Sequence, residues 1–257
     1  MEREAHNLYL GVGAERVAVG CGSVGLLQQL AVAYLEPGRS VAAYGWPSFE
    51  AYPVMAKAMG ATPVEVPLRH QTVDLAGAAD PSWTVAFLAT PNNPTGTAVR
   101  TAELLALADA VDPATLLVVD EAYREFVTGA DVPDAVELLG DRPNVAVLRT
   151  FSKAYGLAAL RVGYLVGPPA VVDAVDGVLA PFAVNGPAQA AAVASLDRHD
   201  QAMARVAEVV AERDRLAGAV RDRGLGVPDA QGNFVWLPAG DASGPLAQAL
   251  ERRGVVT

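Results

Sequence analysis

The sequence has a single cysteine, Cys21, among 257 residues. One thiol excludes an internal disulfide, and it makes a reducing cytoplasm the expected compartment. Cys21 itself reads as a structural, buried thiol rather than a reactive one. Histidine is scarce as well: His6, His70 and His199 are scattered without ligand spacing, which argues against a metal site. No apolar run approaches the ~20 residues of a membrane helix, and the acidic start Met1-Glu2-Arg3-Glu4 is unlike a signal peptide. Positive charge is also short. A net charge of −10 argues against nucleic acid or an anionic membrane surface as partner. There is no internal repeat and no low-complexity tract. What the chain does have is 52% hydrophobic content, enough at this length for a sizeable core.

Three short apolar runs, rich in Val and Leu and without alternation, read as parallel strands buried on both faces. Trp83 to Ala89 opens into Thr90-Pro91-Asn92-Asn93-Pro94-Thr95-Gly96. Leu116 to Val119 ends in Asp120-Glu121-Ala122-Tyr123. Val145 to Leu148 runs into Thr150-Phe151-Ser152-Lys153, with Arg161 eight residues further on. The C-terminal ends of parallel strands share one edge of the sheet, where open α/β sheets bind ligands. Asn93, Asp120, Tyr123 and Lys153 are therefore expected in one crevice.

An amide, a carboxylate, a phenol and an amine brought together suit pyridoxal 5′-phosphate. Taken alone, Lys153 would read as a surface charge, the Asn-Asn-Pro-Thr-Gly segment as a turn and Asp120-Glu121 as an acidic loop. In this order they point to a lysine able to form a Schiff base and an acid against the pyridine nitrogen. A carboxylate there favours the protonated ring and makes it an electron sink. Asn93 and Tyr123 are placed to hydrogen-bond the ring's phenolic oxygen.

The phosphate finds a candidate cradle near the start of the chain. Val17-Ala18-Val19 reads as a brief strand, followed by Gly20-Cys21-Gly22-Ser23 and a helix over Val24 to Leu35. Ser23 is the expected N-cap, and Gly22, Ser23 and Val24 would present backbone amides to an anion at the helix N-terminus. Thr150 and Ser152 add hydroxyls, and Arg161 a fixed cation. Phe49, in Trp46-Pro47-Ser48-Phe49-Glu50-Ala51-Tyr52, either stacks on the pyridine ring or belongs to the core.

Gly22-Ser23, Pro-Ser-Phe-Glu-Ala-Tyr, Pro-Asn-Asn-Pro-Thr-Gly, Asp-Glu-Ala-Tyr and Thr-Phe-Ser-Lys-Ala-Tyr-Gly-Leu-Ala-Ala-Leu-Arg-Val-Gly-Tyr together resemble a fold-type I, class I/II pyridoxal-phosphate aminotransferase. The branch resembled is that of the histidinol-phosphate and aromatic-amino-acid aminotransferases. The resemblance implies an α/β fold, a three-layer αβα large domain with a mostly parallel sheet, and a smaller α+β domain. The expected division is residues 1–185 and 186–257. It also implies a homodimer, amino acid and 2-oxo acid substrates, and Lys153 as the catalytic proton carrier. Cys21 stands where the related enzymes usually carry Asn.

Beyond Tyr164 the chain is expected to leave the cofactor-binding half. Pro168-Pro169 and Pro181 mark turns, and a long helical region begins at Gln189. Gln201 to Arg223 reads as an amphipathic helix with Met203, Val206, Val209, Val210 and Leu216 on one face, ended by Gly224. Phe234-Val235-Trp236-Leu237 reads as a strand, Pro245 to Arg253 as a helix closed by Gly254, and Val255-Val256-Thr257 as the start of a further strand. In the resembled family the segment after that strand carries arginines that hold the substrate's anionic group, and an N-terminal arm brings a tyrosine to the neighbouring subunit. Neither has a counterpart here, so the small domain reads as incomplete. Leaving a substrate carboxylate unpaired costs roughly 3–5 kcal/mol, or about 10²–10⁴-fold in kcat/KM.

The functional expectation is transfer of an amino group from a phenylalanine- or tyrosine-type amino acid to a 2-oxo acid such as 2-oxoglutarate. Alternatives are histidinol phosphate as the donor, a lyase resembling phosphothreonine decarboxylase, and a pyridoxal-phosphate-binding protein with impaired catalysis. Trp46-Pro47-Ser48-Phe49-Glu50-Ala51-Tyr52 and Pro181-Phe182-Ala183-Val184-Asn185 resemble the aromatic-amino-acid branch more than the histidinol-phosphate branch. That resemblance inclines the choice to aromatic donors, with Phe182 either flanking an aromatic side chain or sitting in the small-domain core.

Overall fold

The computed structural model describes residues 10–257, so His6 and the acidic start lie outside the described residues. The elements follow in the order β1 Val17–Gly20, α1 Gly22–Tyr34, β2 Val41–Trp46, α2 Ala51–Ala58, β3 Thr62–Pro67, β4 Val85–Ala89, α3 Thr101–Ala110 and β5 Leu116–Asp120. Then come α4 Ala135–Leu139, β6 Val145–Thr150, β7 Gly163–Val166, α5 Pro169–Gly177, α6 Gly186–Leu196, α7 His199–Arg221 and α8 Ser243–Glu251.

Among the described residues seven strands form one sheet in the order β1-β7-β6-β5-β4-β2-β3. β3, β2, β4, β5 and β6 are mutually parallel, while β7 runs antiparallel to both β6 and β1. The three apolar runs are β4, β5 and β6, and every residue in them is buried. Successive residues serve opposite faces, as the pleat requires. Leu117, Val119, Val145 and Val147 join one core cluster with α3, α4 and Ala188 and Ala192 of α6. Leu116, Val118, Ala146 and Leu148 join the other, with α1, α2 and α5. Both faces are covered, which is why the strands show no alternation in sequence. The result is a three-layer αβα architecture built on a mostly parallel sheet.

Strand polarity brings several loops to one edge. β1 points the same way as β6, so the turn into α1 opens at the edge where β4, β5 and β6 end. β7 begins at that edge too, two residues after Arg161. Gly163 pairs with Gly20 on one side and Thr150 on the other. A Cβ on Gly163 would lie 2.7 Å from the Ser23 backbone nitrogen, so a glycine is needed for this close approach.

Several expectations about the C-terminal part need correction. Pro169 opens α5 at its first turn rather than marking a plain turn, and α5 packs its Val171, Val172 and Val175 onto the sheet. The long helical region is two helices, α6 and α7, broken at residues 197–198. Val206 on α7 is buried, but Val209 and Leu216 are exposed, and the next buried position, two turns on along the same face as Val206, is Arg213. Arg213 donates to the backbone carbonyls of Phe126 (2.8 Å) and Gly232 (3.0 Å), clipping α7 to the segment after Tyr123. Phe234 to Leu237 is not a strand, because among the described residues no ladder partner lies beside it. Residues 255–257 form no strand either, and Val256 is 87% exposed. Phe182 is 99% exposed with φ +61°, which rules out the core role.

Candidate active site

A cavity opens at the C-terminal edge of β4, β5 and β6 and takes in most of the residues singled out from the sequence. Ser23 and Val24 line it from α1, Phe49 from the loop before α2, and Asn93 from the loop after β4. Asp120 and Tyr123 line it from β5 and the turn beyond, and Thr150, Ser152, Lys153 and Arg161 from the segment joining β6 to β7. Gly22 does not line the cavity. It has φ +72°, and a Cβ there would run into the Arg161 guanidinium.

The helix before the cavity starts earlier than the sequence indicated. α1 begins at Gly22 with Cys21 in the N-cap position, and the Cys21 side chain makes no cap hydrogen bond. Ser23 is therefore inside the first turn, and its expected capping role is corrected, because the left-handed turn at Gly22 starts the helix ahead of it. Cys21 is half-buried, not fully enclosed.

Arg161 has a left-handed backbone (φ +61°) unusual for a residue with a side chain. Its Nη1 donates to the Ala158 carbonyl (2.8 Å) and reaches Ser152 Oγ at 3.4 Å. Thr150 Oγ1 donates to Ser152 Oγ (3.0 Å) and accepts from the Ser152 N–H (3.1 Å). Two hydroxyls, a guanidinium and the first turn of a helix therefore gather at one end of the cavity, an arrangement suited to a phosphate.

At the floor sits Asp120, 5% exposed. Burial pushes its carboxyl up to about 6, opposed by hydrogen bonds from the Tyr52 hydroxyl and the Ala122 N–H and by the charge of Lys153. Lys153 is solvent-accessible rather than enclosed, and its Nζ lies 5.1 Å from the centre of the Tyr123 ring. The chain has two lysines, and the other, Lys57, is exposed on α2.

Asn93 owes its place to its neighbour. Asn92 is fully buried, accepts from Ser48 Oγ (2.6 Å) and donates to the Pro47 carbonyl (3.1 Å) and Thr95 Oγ1 (2.9 Å). The loop carrying Phe49 and the loop carrying Asn93 are thereby tied together.

Two groups of residues around the cavity were not foreseen. Glu121 and Arg149 are 1% and 5% exposed, and Arg149 Nη2 meets Glu121 Oε2 and Asp134 Oδ1, each at 2.7 Å. An arginine inside an otherwise apolar strand was the available signal, since a buried charge requires a partner. Tyr52 is the other. It is fully buried, lines the cavity and donates to Asp120 Oδ2 at 3.1 Å. Its signal was a second aromatic three residues after Phe49, because a buried tyrosine hydroxyl needs an acceptor.

Among the described residues no group of three or more His, Cys, Asp or Glu side chains is placed to hold a metal ion, and no helix is long and apolar enough to cross a membrane. His199 lies with its Nδ1 3.0 Å from the Tyr155 hydroxyl.

A doubly covered α/β sheet with an amine, a buried acid and an anion cradle at one strand edge defines a class of group-transfer enzyme. The chain belongs to the aminotransferase class I and II family, whose model matches residues 3–257. It is 55% identical over 247 residues to an aromatic amino acid aminotransferase of Thermobifida fusca, covering 95% of this chain and 68% of that protein. An aromatic amino acid aminotransferase of Mycobacteroides abscessus is 50% identical over 238 residues, covering 91% and 68%. Among solved structures, histidinol-phosphate aminotransferase from Sinorhizobium meliloti in complex with pyridoxal-5′-phosphate superposes with a TM-score of 0.91. It is 31% identical, and the match covers 99% of this chain and 71% of that one.

Proposed function

We propose that this aminotransferase binds pyridoxal 5′-phosphate and moves an amino group from an aromatic amino acid to a 2-oxo acid such as 2-oxoglutarate. The observation that carries the reading is the meeting of Lys153, Asp120, Asn93 and Tyr123 in one cavity beside the Arg161 cradle. The aromatic donor is supported by the two relatives at 55% and 50% identity. When bound, the cofactor supplies a carbonyl that takes up an amino group and a ring that delocalises the electron pair left when the substrate's Cα–H bond breaks.

The chain's own residues do the rest. Ser23, Val24, Thr150, Ser152 and Arg161 would hold the phosphate, with Gly22 supplying the left-handed turn that lets Arg161 approach the helix start. Asp120 would face the ring nitrogen, and with its carboxyl near 6 it is mostly ionised at neutral pH, as that role requires. Asn93 and Tyr123 would donate to the phenolic oxygen, and Phe49 would cover one ring face. Lys153 Nζ takes the proton from the substrate's α-carbon; its accessible position at the cavity mouth leaves it room to move. Activity is proposed to belong to a homodimer, with the large and small parts divided near residue 185. Among the described residues the strands all precede that boundary, while Ala188 and Ala192 of α6 still pack into the core beside the sheet.

Gly22→Ala tests the cradle. A Cβ at φ +72° costs roughly 1–2 kcal/mol and collides with Arg161, so affinity for pyridoxal phosphate should fall about tenfold. An absorbance titration reads this, and unchanged affinity would remove Arg161 from the phosphate site.

The Sinorhizobium structure favours a second reading, histidinol phosphate as donor. Side-by-side turnover of phenylalanine and histidinol phosphate with 2-oxoglutarate decides between them. The expected result is a higher kcat/KM with phenylalanine, and the reverse order overturns the aromatic assignment.

A further inference from the structure

Tyr52 is the second residue of α2, three residues after Phe49, so one turn of chain supplies both aromatic side chains to the cavity. The Tyr52 ring lies flat against Phe87 of β4, with centroids 5.0 Å apart and planes 4° apart, and meets Phe49 edge-on at 5.7 Å. Tyr44 closes a third side at 6.2 Å. The ring is thus held on three sides, and its hydroxyl is directed at Asp120 Oδ2. Asp120 Oδ1 is taken by the Ala122 N–H at 3.1 Å. With one donor on each oxygen, the plane of the carboxylate is set from two directions. Burial beside Asp120 holds the Tyr52 hydroxyl well above its usual ionisation range, so it remains a donor at any working pH.

We infer that Tyr52 is the positioning residue for Asp120, keeping its carboxylate ionised and aimed at the ring nitrogen of pyridoxal phosphate. The inference rests on the cofactor reading given above. Asp120 feels four groups: the Tyr52 hydroxyl from α2, the Ala122 N–H, the neighbouring Glu121 carboxylate, and the Lys153 amine from the β6–β7 segment. Burial and Glu121 favour the protonated acid, and the other three favour the carboxylate. Removing the phenol takes away the strongest of the three influences that favour the carboxylate. Asp120 then titrates at higher pH, so near neutrality more of it is protonated and unable to pair with a pyridinium. Raising the pH restores the carboxylate. A purely structural role for Tyr52 would give a defect that does not depend on pH in this way.

The test is a titration of the apo protein with pyridoxal phosphate at pH 7.0 and 8.5, in wild type, Tyr52→Phe, Phe87→Leu and Asp120→Asn. Tyr52→Phe is expected to raise the Kd about tenfold at pH 7.0, the scale of one hydrogen bond to a charged group. At pH 8.5 the ratio to wild type should shrink to about threefold or less, following the linkage between proton and ligand. With the 1-deaza analogue, whose ring lacks the nitrogen, the ratio should be close to one. Phe87→Leu keeps the hydroxyl, so it should lower the melting temperature without a pH-dependent affinity defect. Asp carboxyl ¹³C resonances in the apo protein give a readout free of cofactor: the one missing in Asp120→Asn should titrate at higher pH in Tyr52→Phe. A Tyr52→Phe ratio equal at both pH values, or equal for the analogue, overturns the role of Tyr52. Failure of Asp120→Asn to weaken pyridoxal phosphate overturns the cofactor reading instead, whereas weakening there with Tyr52→Phe unchanged overturns Tyr52 alone.

Discussion

Lys153→Ala is expected to lower the transamination rate by roughly 10⁴-fold or more, because in the proposed mechanism it removes both the cofactor's covalent partner and the base that takes the α-proton. The folded state should hardly change, since Lys153 is solvent-accessible and its amine lies over the face of Tyr123 and acts on Asp120 only through its charge. Mixing the wild-type protein with pyridoxal phosphate should produce a visible absorption band that Lys153→Ala lacks. The composition makes the assignment unusually clean. Only two lysines are present, so borohydride reduction followed by peptide mapping must find the cofactor's mass on Lys153, on Lys57 or on neither. Mass on Lys57, or a band that survives Lys153→Ala, would sink the proposed chemistry. Exogenous amines offer a further check: partial recovery of the variant by methylamine or ammonia would mark the lost group as a proton carrier and not as a structural prop.

Arg149→Ala should have the largest effect on stability. Arg149 lies on β6 behind the cavity, and its Nε and Nη2 donate to Glu121 Oε2 at 3.0 and 2.7 Å. Glu121 is held on its other oxygen by the Ala135 N–H at 2.9 Å, which anchors the start of α4. Truncating Arg149 would leave a carboxylate 1% exposed with no cation to balance it. Burial already favours the protonated form of Glu121, and the guanidinium is the main influence against it. Breaking a buried pair from one side costs about 3–5 kcal/mol. In a chain of this size that corresponds to a melting temperature lower by on the order of 10 °C. The double variant Glu121→Leu/Arg149→Met separates charge from packing. It should recover most of the loss, because two apolar side chains of similar volume need no partner. An Arg149→Ala melting temperature within a degree or two of wild type would show that the pair is not stabilised as the geometry indicates.

Lys153 and Arg149 differ in how far the amino-acid sequence announces them. Lys153 follows an apolar run and stands in a motif, and its neighbours Asn93, Asp120 and Tyr123 follow similar runs. Parallel strands covered on both faces are hydrophobic along their whole length, and their shared polarity brings the residues after them to one edge. From those two regularities the crevice could be anticipated before any coordinates. Arg149 carries no motif. Its importance comes from Glu121 and Asp134, which are distant in sequence and reach it only because β5 and β6 pair and α4 packs beneath them.

The C-terminal part shows where periodicity stops being informative. The spacing of Met203, Val206, Val209 and Val210 marks a helical face correctly, yet α7 leaves Val209 and Leu216 in solvent and buries Arg213. A hydrophobic stripe states which side of a helix could be covered, and says nothing about how far the neighbouring segment reaches. Phe234 to Leu237 has the composition of a strand, but a strand is a property of two segments, and none of the described residues pairs with it. Phe182, expected near a substrate or in a core, extends into solvent from a left-handed turn.

Side-chain chemistry and local order were legible because they depend on residues close together in the chain: a lysine after an apolar run, an acid at a strand end, glycines before a helix. Pairings across the fold were decided only in three dimensions. Tyr52 meets Asp120 because α2 lies over β4 and β5, and burial there moves the Asp120 carboxyl to about 6. Ionisation depends on how much water a group loses and which donors replace it, and both are set by neighbours that the linear sequence holds far apart.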